Sequence, residues 1–172
     1  MRKVNCAAWS KQVLKFLMIA SVIFSGYLHA DSFEGCYSKV EKILSATPML
    51  NEDGSDSNER FKLKTSYINV FKKDDKYFAE GLVWGFNFHI CTVMAPLEGV
   101  TKPLPLTLEG KKLEFEEQEP EYNINCELEL AFDEKGLSIK DENGHCSNYM
   151  FYCGVHASLR DIHLVKSTKG CD

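Results

Sequence analysis

Apolar and polar positions alternate most regularly in the last third of the chain. Cys126, Leu128, Leu130 and Phe132 fall on one parity, with Glu127 and Glu129 on the other. This is the pattern of a half-buried antiparallel strand. Asp133-Glu134-Lys135-Gly136 then reads as a four-residue hairpin loop, after which Leu137 and Ile139 return to the core face. A last apolar alternation ends near Val165, so this region predicts a β-meander.

The same reading extends upstream. Phe61, Leu63, Tyr67, Ile68, Val70 and Phe71 form one run, Asp74-Asp75 turns it, and residues 77–93 are rich in aromatic and β-branched side chains. Phe78, Leu82, Trp84, Phe86, Phe88 and Ile90 share one parity there, and Tyr77, Ala79, Val83, Cys91 and Val93 the other. So long a run is not one flat strand, and Gly81 or Gly85 predicts a bulge or bend. Pro96, Gly99, Pro103 and Pro105 mark a loop, followed by Leu106 and Leu108, a turn at Glu109-Gly110-Lys111, and Leu113 and Phe115.

Two segments depart from the strand pattern. Phe33, Cys36, Tyr37, Val40, Ile43 and Leu44 recur at three and four residues, the stripe of a short N-terminal α-helix capped by Ser32 and ended by Thr47-Pro48. Gly35 weakens that helix and leaves a short strand as the alternative. Residues 51–60 hold no apolar side chain and read as a solvated loop. Their Asp and Ser spacing resembles a calcium loop, but Lys62 and Lys64 stand where its closing acid belongs.

The expected fold is therefore mainly β. It is an antiparallel meander of seven or eight strands forming a barrel or sandwich, with the short N-terminal helix and a set of disulfide staples.

Residues 1–30 carry a different signal. Arg2, Lys3, Lys11 and Lys15 precede an apolar run from Phe16 to Tyr27 that closes on Leu28-His29-Ala30. A basic start, a short apolar stretch and a small terminal residue make a secretory signal peptide, with cleavage expected after Ala30. Residues 31–172 then form a single periplasmic or secreted domain, with no expected membrane span after cleavage. The chain has 20 Lys+Arg against 25 Asp+Glu, and losing four bases with the signal leaves 16 against 25, a net charge of −9. Such a surface repels phosphate and argues against nucleic acid, while suiting a cationic protein.

Six of the seven cysteines lie beyond the signal, an even number that implies disulfides in an exported domain. The expected pairs are Cys146 with Cys153 across a short loop, Cys36 with Cys171 between first and last elements, and Cys91 with Cys126.

Candidate chemistry is sparse. Cys153, His156 and Cys146 have the residue types of a zinc site, but structural zinc takes two clear ligand pairs, and an oxidising compartment turns these thiols into disulfides. No metal site and no cofactor are expected. A half-cystine cannot act as a nucleophile, and no Gly-x-Ser-x-Gly, His-Glu-x-x-His, phosphate-loop or dinucleotide motif is present. No residue is assigned as catalytic, and a hydrolase with an unrecognised site is the last alternative.

Two binding modes follow. Glu114, Glu116, Glu117, Glu119 and Glu121 crowd one segment, which reads either as a guarded edge strand or as an anionic docking surface, with His156 of the Cys146 to His156 loop as a further contact. In signal, acidity, cysteines and meander the chain resembles, in type, the small exported β-domains that inhibit lysozymes or neutralise toxins in the bacterial periplasm. The Ser-Gly-x-x-Tyr loop of one such inhibitor family is absent, and Cys153-Gly154-Val155-His156 stands in a comparable late position. The alternative is a lipocalin-like carrier of a small apolar ligand, with Tyr77, Phe78, Trp84, Phe86 and Phe88 lining the barrel.

Overall fold

The computed structural model describes residues 33–171 except 58, 96–101 and 152. The expected signal segment, its cleavage site, the Ser32 cap and the Pro96 and Gly99 part of the proline loop lie outside the described residues.

Nine strands follow one another in an almost unbroken meander: β1 (Gly35–Leu44), β2 (Phe61–Lys73), β3 (Lys76–Trp84), β4 (Ile90–Val93), β5 (Leu104–Glu109), β6 (Lys112–Glu119), β7 (Ile124–Asp133), β8 (Gly136–Lys140) and β9 (Ile162–Lys166). All the pairings are antiparallel, and β9 returns to pair with β1. Eight strands thus close a barrel. β4 is the extra one: it shares an edge of β3 with β5, taking residues 81–84 while β5 takes residues 77–79. Of the two expected architectures, the barrel is the one formed.

The interior is written by the alternation seen in the sequence. Leu128 and Leu130 of β7, Leu113 of β6, Leu137 and Ile139 of β8 and Leu164 of β9 are all within 1 % of complete burial. At one end of the barrel Phe33 packs against Phe132 and Tyr77, with ring centroids 4.8 and 5.8 Å away, and Tyr37 joins the cluster at 5.5 Å from Phe132. At the other end a π-helical turn, Cys146–Met150, buries Met150 and the following Phe151 against the core, Phe151 lying 5.9 Å from Phe115. An eight-stranded barrel is just wide enough for side chains to fill it.

The turns follow local chemistry. Asp74 and Asp75 both adopt positive φ (49° and 61°), the mirror-image turn whose twist suits a two-residue hairpin. The β7–β8 hairpin is tighter than expected: Asp133 pairs with Gly136, leaving Glu134 and Lys135 at the tip. Oδ1 of Asp133 accepts from the backbone N–H of Lys135 and of Gly136, at 2.7 and 2.9 Å, which fixes this turn. The long aromatic run breaks at Gly85, where a 3-10 turn, Phe86–Phe88, separates β3 from β4. A β-carbon at Gly85 would sit 2.0 Å from the carbonyl oxygen of His156, so only glycine lets these two segments meet.

The N-terminal helix is not formed: Gly35–Leu44 is strand β1. Its apolar stripe belongs to both faces of a strand. Tyr37 and Ile43 are buried, Val40 and Leu44 face out and are exposed, and Cys36 bonds to Cys171. Exposed Lys39 and half-buried Glu41 form an ion pair of 2.7 Å, and the buried Ser66 hydroxyl donates to Glu41 while accepting from the N–H of Trp84. Closure of the barrel requires a strand between β2 and β9, and that demand overrides the local helical spacing.

Disulfide pairing agrees with expectation at Cys36–Cys171 and differs at the other two: Cys91 joins Cys153 and Cys126 joins Cys146. The π-helical turn between Cys146 and Cys153 carries the two sulfurs toward different strands. Residues before it are zipped to β7, since the N–H of Asn125 donates to Nδ1 of His145 and Nδ2 of Asn143 donates to the carbonyl of Asn125. Residues after it are tied to β4, where the N–H of Gly154 donates to the carbonyl of Ile90 at 3.0 Å.

Candidate docking surface

Strands β6, β7 and β8 present one continuous outer face. Antiparallel register sets Glu114 directly opposite Glu129 and Glu116 directly opposite Glu127, and Lys140 of β8 lies beside Glu129. Directly opposed like charges on one sheet face cost stability. Half of this block is compensated from within. The Lys112 ammonium bridges Glu114 and Glu129 at 2.5 and 2.8 Å, and the Lys140 ammonium reaches the second oxygen of Glu129 at 2.6 Å. Hydrogen bonds from Lys112, then Lys140, hold the Glu129 carboxyl below its ordinary range, and hydrogen bonds to Glu114 and Glu129 raise Lys112 well above the usual lysine value. The other half differs. Glu116 and Glu127 are exposed, and among the described residues neither takes part in an ion pair; Glu127 accepts only a hydrogen bond from the Asn125 amide at 2.7 Å.

These side chains line a groove of about 310 Å³, walled by Glu114, Glu116, Glu127 and Glu129, with Lys112 and Lys140 on its lining and Glu142 and Asn143 contributed by the connection after β8. Asn143 is positioned by its bond to the Asn125 carbonyl and by accepting the N–H of His145 at 2.9 Å.

The five glutamates do not make one surface. Glu114 and Glu116 share the outer face, whereas Glu117 and Glu119, opposite Cys126 and Ile124, have the other parity and are exposed where β6 runs out of the barrel wall. Glu121 lies in the 3-10 turn that follows β6. β5 pairs with β6 only at residues 112–114, so over residues 115–119, where Glu116, Glu117 and Glu119 lie, β6 has β7 as its one ladder partner among the described residues and its other edge is open, as the guarded-edge reading expects. Glu127, Glu129 and Glu142 complete the groove, and reading them from sequence needs the β6–β7 register as well as strand parity.

His156 is exposed and lies apart from the groove lining, packed on Phe86 and His89 at centroid distances of 5.4 and 5.3 Å. The aromatic set expected to line a cavity is likewise divided. Tyr77 faces the core cluster, while Phe78 stacks on Phe71 on the outside, Trp84 lies outward under the Lys64 ammonium at 4.6 Å, and Phe86 is 43 % exposed. Strand parity places Tyr77 and Phe78 on opposite faces.

Cys146 and Cys153 are both half-cystines, so neither thiol is open to zinc or to nucleophilic attack. In residues 51–57 Asp53 accepts from the N–H and hydroxyl of Ser55, an Asx turn of a solvated loop, and its carboxyl is held below the ordinary range by those bonds. Among the described residues no group of three or more His, Cys, Asp or Glu could hold a metal ion, and no helix is long and apolar enough to cross a membrane. No family model, curated protein or solved structure matches this chain.

Proposed function

We propose that this protein is an exported, non-catalytic binding protein that docks a cationic protein, as an inhibitor or immunity-type partner would, through the outer groove of β6, β7 and β8. The observation that carries the reading is the opposed pair Glu116 and Glu127, exposed and without an internal cation, beside a glutamate pair that lysines already neutralise. A partner's Lys or Arg at that position relieves the repulsion and gains a charge-assisted contact. Three disulfides fit an oxidising compartment, where a secreted basic enzyme is a natural target.

The carrier reading has the closed antiparallel barrel in its favour. It ranks second because both barrel ends are filled from within, by Phe33, Tyr37 and Phe132 at one and by Met150 and Phe151 at the other.

The test uses a basic c-type lysozyme as the probe and compares the oxidised protein with its Glu116→Lys/Glu127→Lys variant by stopped-flow association at low and high salt. The expected result is association slowed by about tenfold or more at low salt, converging at high salt. Glu117→Lys/Glu119→Lys carries the same charge change off the groove and should slow association much less. Equal losses in both variants would assign the effect to net charge and remove the groove from consideration.

A further inference from the structure

Two of the four described histidines have their ring nitrogens engaged: Nδ1 of His145 accepts the Asn125 N–H, and Nδ1 of His163 bonds the Ser138 hydroxyl. The other two, His89 and His156, are 67 positions apart in sequence yet touch ring to ring. Among the described residues, neither of their rings makes a hydrogen bond or an ion pair. We propose that His89 and His156 together bind a divalent transition-metal ion of the zinc or copper type, with water completing its coordination.

Geometry and rigidity carry the inference. The ring centroids lie 5.3 Å apart. Two imidazoles sharing one tetrahedral ion, at a metal-to-nitrogen distance of about 2.0–2.1 Å, have centroids about 5.2 Å apart. The spacing therefore matches that of two imidazoles on one ion, with side-chain rotation aiming the nitrogens at it.

The loops are also held in place. The Cys91–Cys153 disulfide lies two residues from His89 and three from His156. The N–H of Phe86 donates to the His156 carbonyl at 3.2 Å, and that of Gly154 to Ile90 at 3.0 Å. Gly154 is seated against the imidazole of His89: a β-carbon there would lie 2.6 Å from Nδ1. That edge of the ring is covered by backbone, which leaves Nε2 as the donor atom of His89. A pair of imidazoles held in place before the ion arrives loses little entropy on binding, and imidazole suits zinc and copper among the divalent metals. Two protein ligands are fewer than a structural zinc site uses, so this is an open site, able to accept a further ligand from a bound partner.

The experiment titrates tag-free, oxidised protein with Zn²⁺, followed by calorimetry and by ¹⁵N spectra of the histidine side chains. One ion should bind, moving the Nε2 signal of His89 and a ring-nitrogen signal of His156 and leaving those of His163 in place. His89→Gln and His156→Gln should each weaken binding by at least about tenfold, since each removes one of two protein ligands, while His163→Ala should not. Unchanged affinity in the His89→Gln/His156→Gln double variant, or no saturable binding to the wild type, overturns the proposal. Because His156 is exposed, its variant should keep the wild-type unfolding transition and test the site even if changing His89 disturbs the fold.

Discussion

Glu129 shows how much a single side chain can join. It belongs to the opposed glutamate pair, yet accepts from two lysines on two neighbouring positions of the sheet. Its carboxyl is lowered in the folded protein from an ordinary value of 4.5, and that of Asp133 from 3.8 by the backbone N–H groups of Lys135 and Gly136. A carboxyl depressed by folding takes up its proton first in the unfolded chain. Its stabilisation is complete above the ordinary value and is lost as pH falls through the folded one. Denaturant midpoints should therefore be level near neutrality and fall below about pH 4.5, with Glu129→Gln showing a shallower acid slope than wild type. Parallel slopes would mean that Lys112 and Lys140 contribute nothing through this residue. Glu129 was visible in sequence as the polar partner of an alternating strand. Its lysines were not, because Lys112 and Lys140 reach it only through the register of β6 and β8.

At the scale of elements, the connection from Asp141 to Asp161 decides the most. It is pinned by Asp141, which is completely buried and accepts from the N–H of Cys146, the N–H of Ser147 and the Ser147 hydroxyl at 3.3, 2.8 and 2.6 Å. The same hydroxyl then accepts the N–H of Leu159 at 2.9 Å. Arg160 adds a bond of 2.9 Å to the carbonyl of Glu142. This network places the π-helical turn over the barrel end and so selects both disulfides that involve the connection. Asp141→Ala strands several buried donors at once, and should cost about 3 kcal/mol or more, with Asp141→Asn costing less because an acceptor remains. Urea unfolding with the disulfides intact reads both, and a loss below about 1 kcal/mol would show that water replaces the carboxylate.

The whole molecule depends on a narrow seam. Strand β9 meets β1 at only two residue pairs, Tyr37 with Lys166 and Ser38 with Val165, whereas β1 meets β2 along its entire length. Residues 39–44 of β1 therefore continue past β9 with β2 as their ladder partner, leaving Val40 and Leu63 exposed on that ribbon. The seam is reinforced by Cys36–Cys171, spanning 135 residues, and by the N–H of Ser167 donating to the Cys36 carbonyl at 2.7 Å. A link across so long a loop removes much of the freedom of the unfolded chain, and Cys36→Ser/Cys171→Ser should cost about 2–5 kcal/mol. Hydrogen exchange should then speed up first in β9, ahead of β6 and β7. Uniform acceleration across all strands would show instead that the barrel opens only as a unit.

Most of the strands beyond β1 are legible in the sequence alone, because a period of two and turn residues such as Asp74-Asp75 and Asp133 to Gly136 act between neighbours in the chain. The dominance of β structure and the pairing of the cysteines are legible there too, and the break in the aromatic run is narrowed to Gly81 or Gly85, of which the fold uses Gly85. Only the tertiary structure decided that Gly35–Leu44 is a strand rather than a helix, since the demand came from closing β2 and β9 around it. It also decided that Cys91 joins Cys153, that Glu116 faces Glu127 while Glu117 turns away, and that His89 meets His156. Each of those depends on register or loop closure between distant segments, and a pattern local to one strand carries no record of which residue stands across from it.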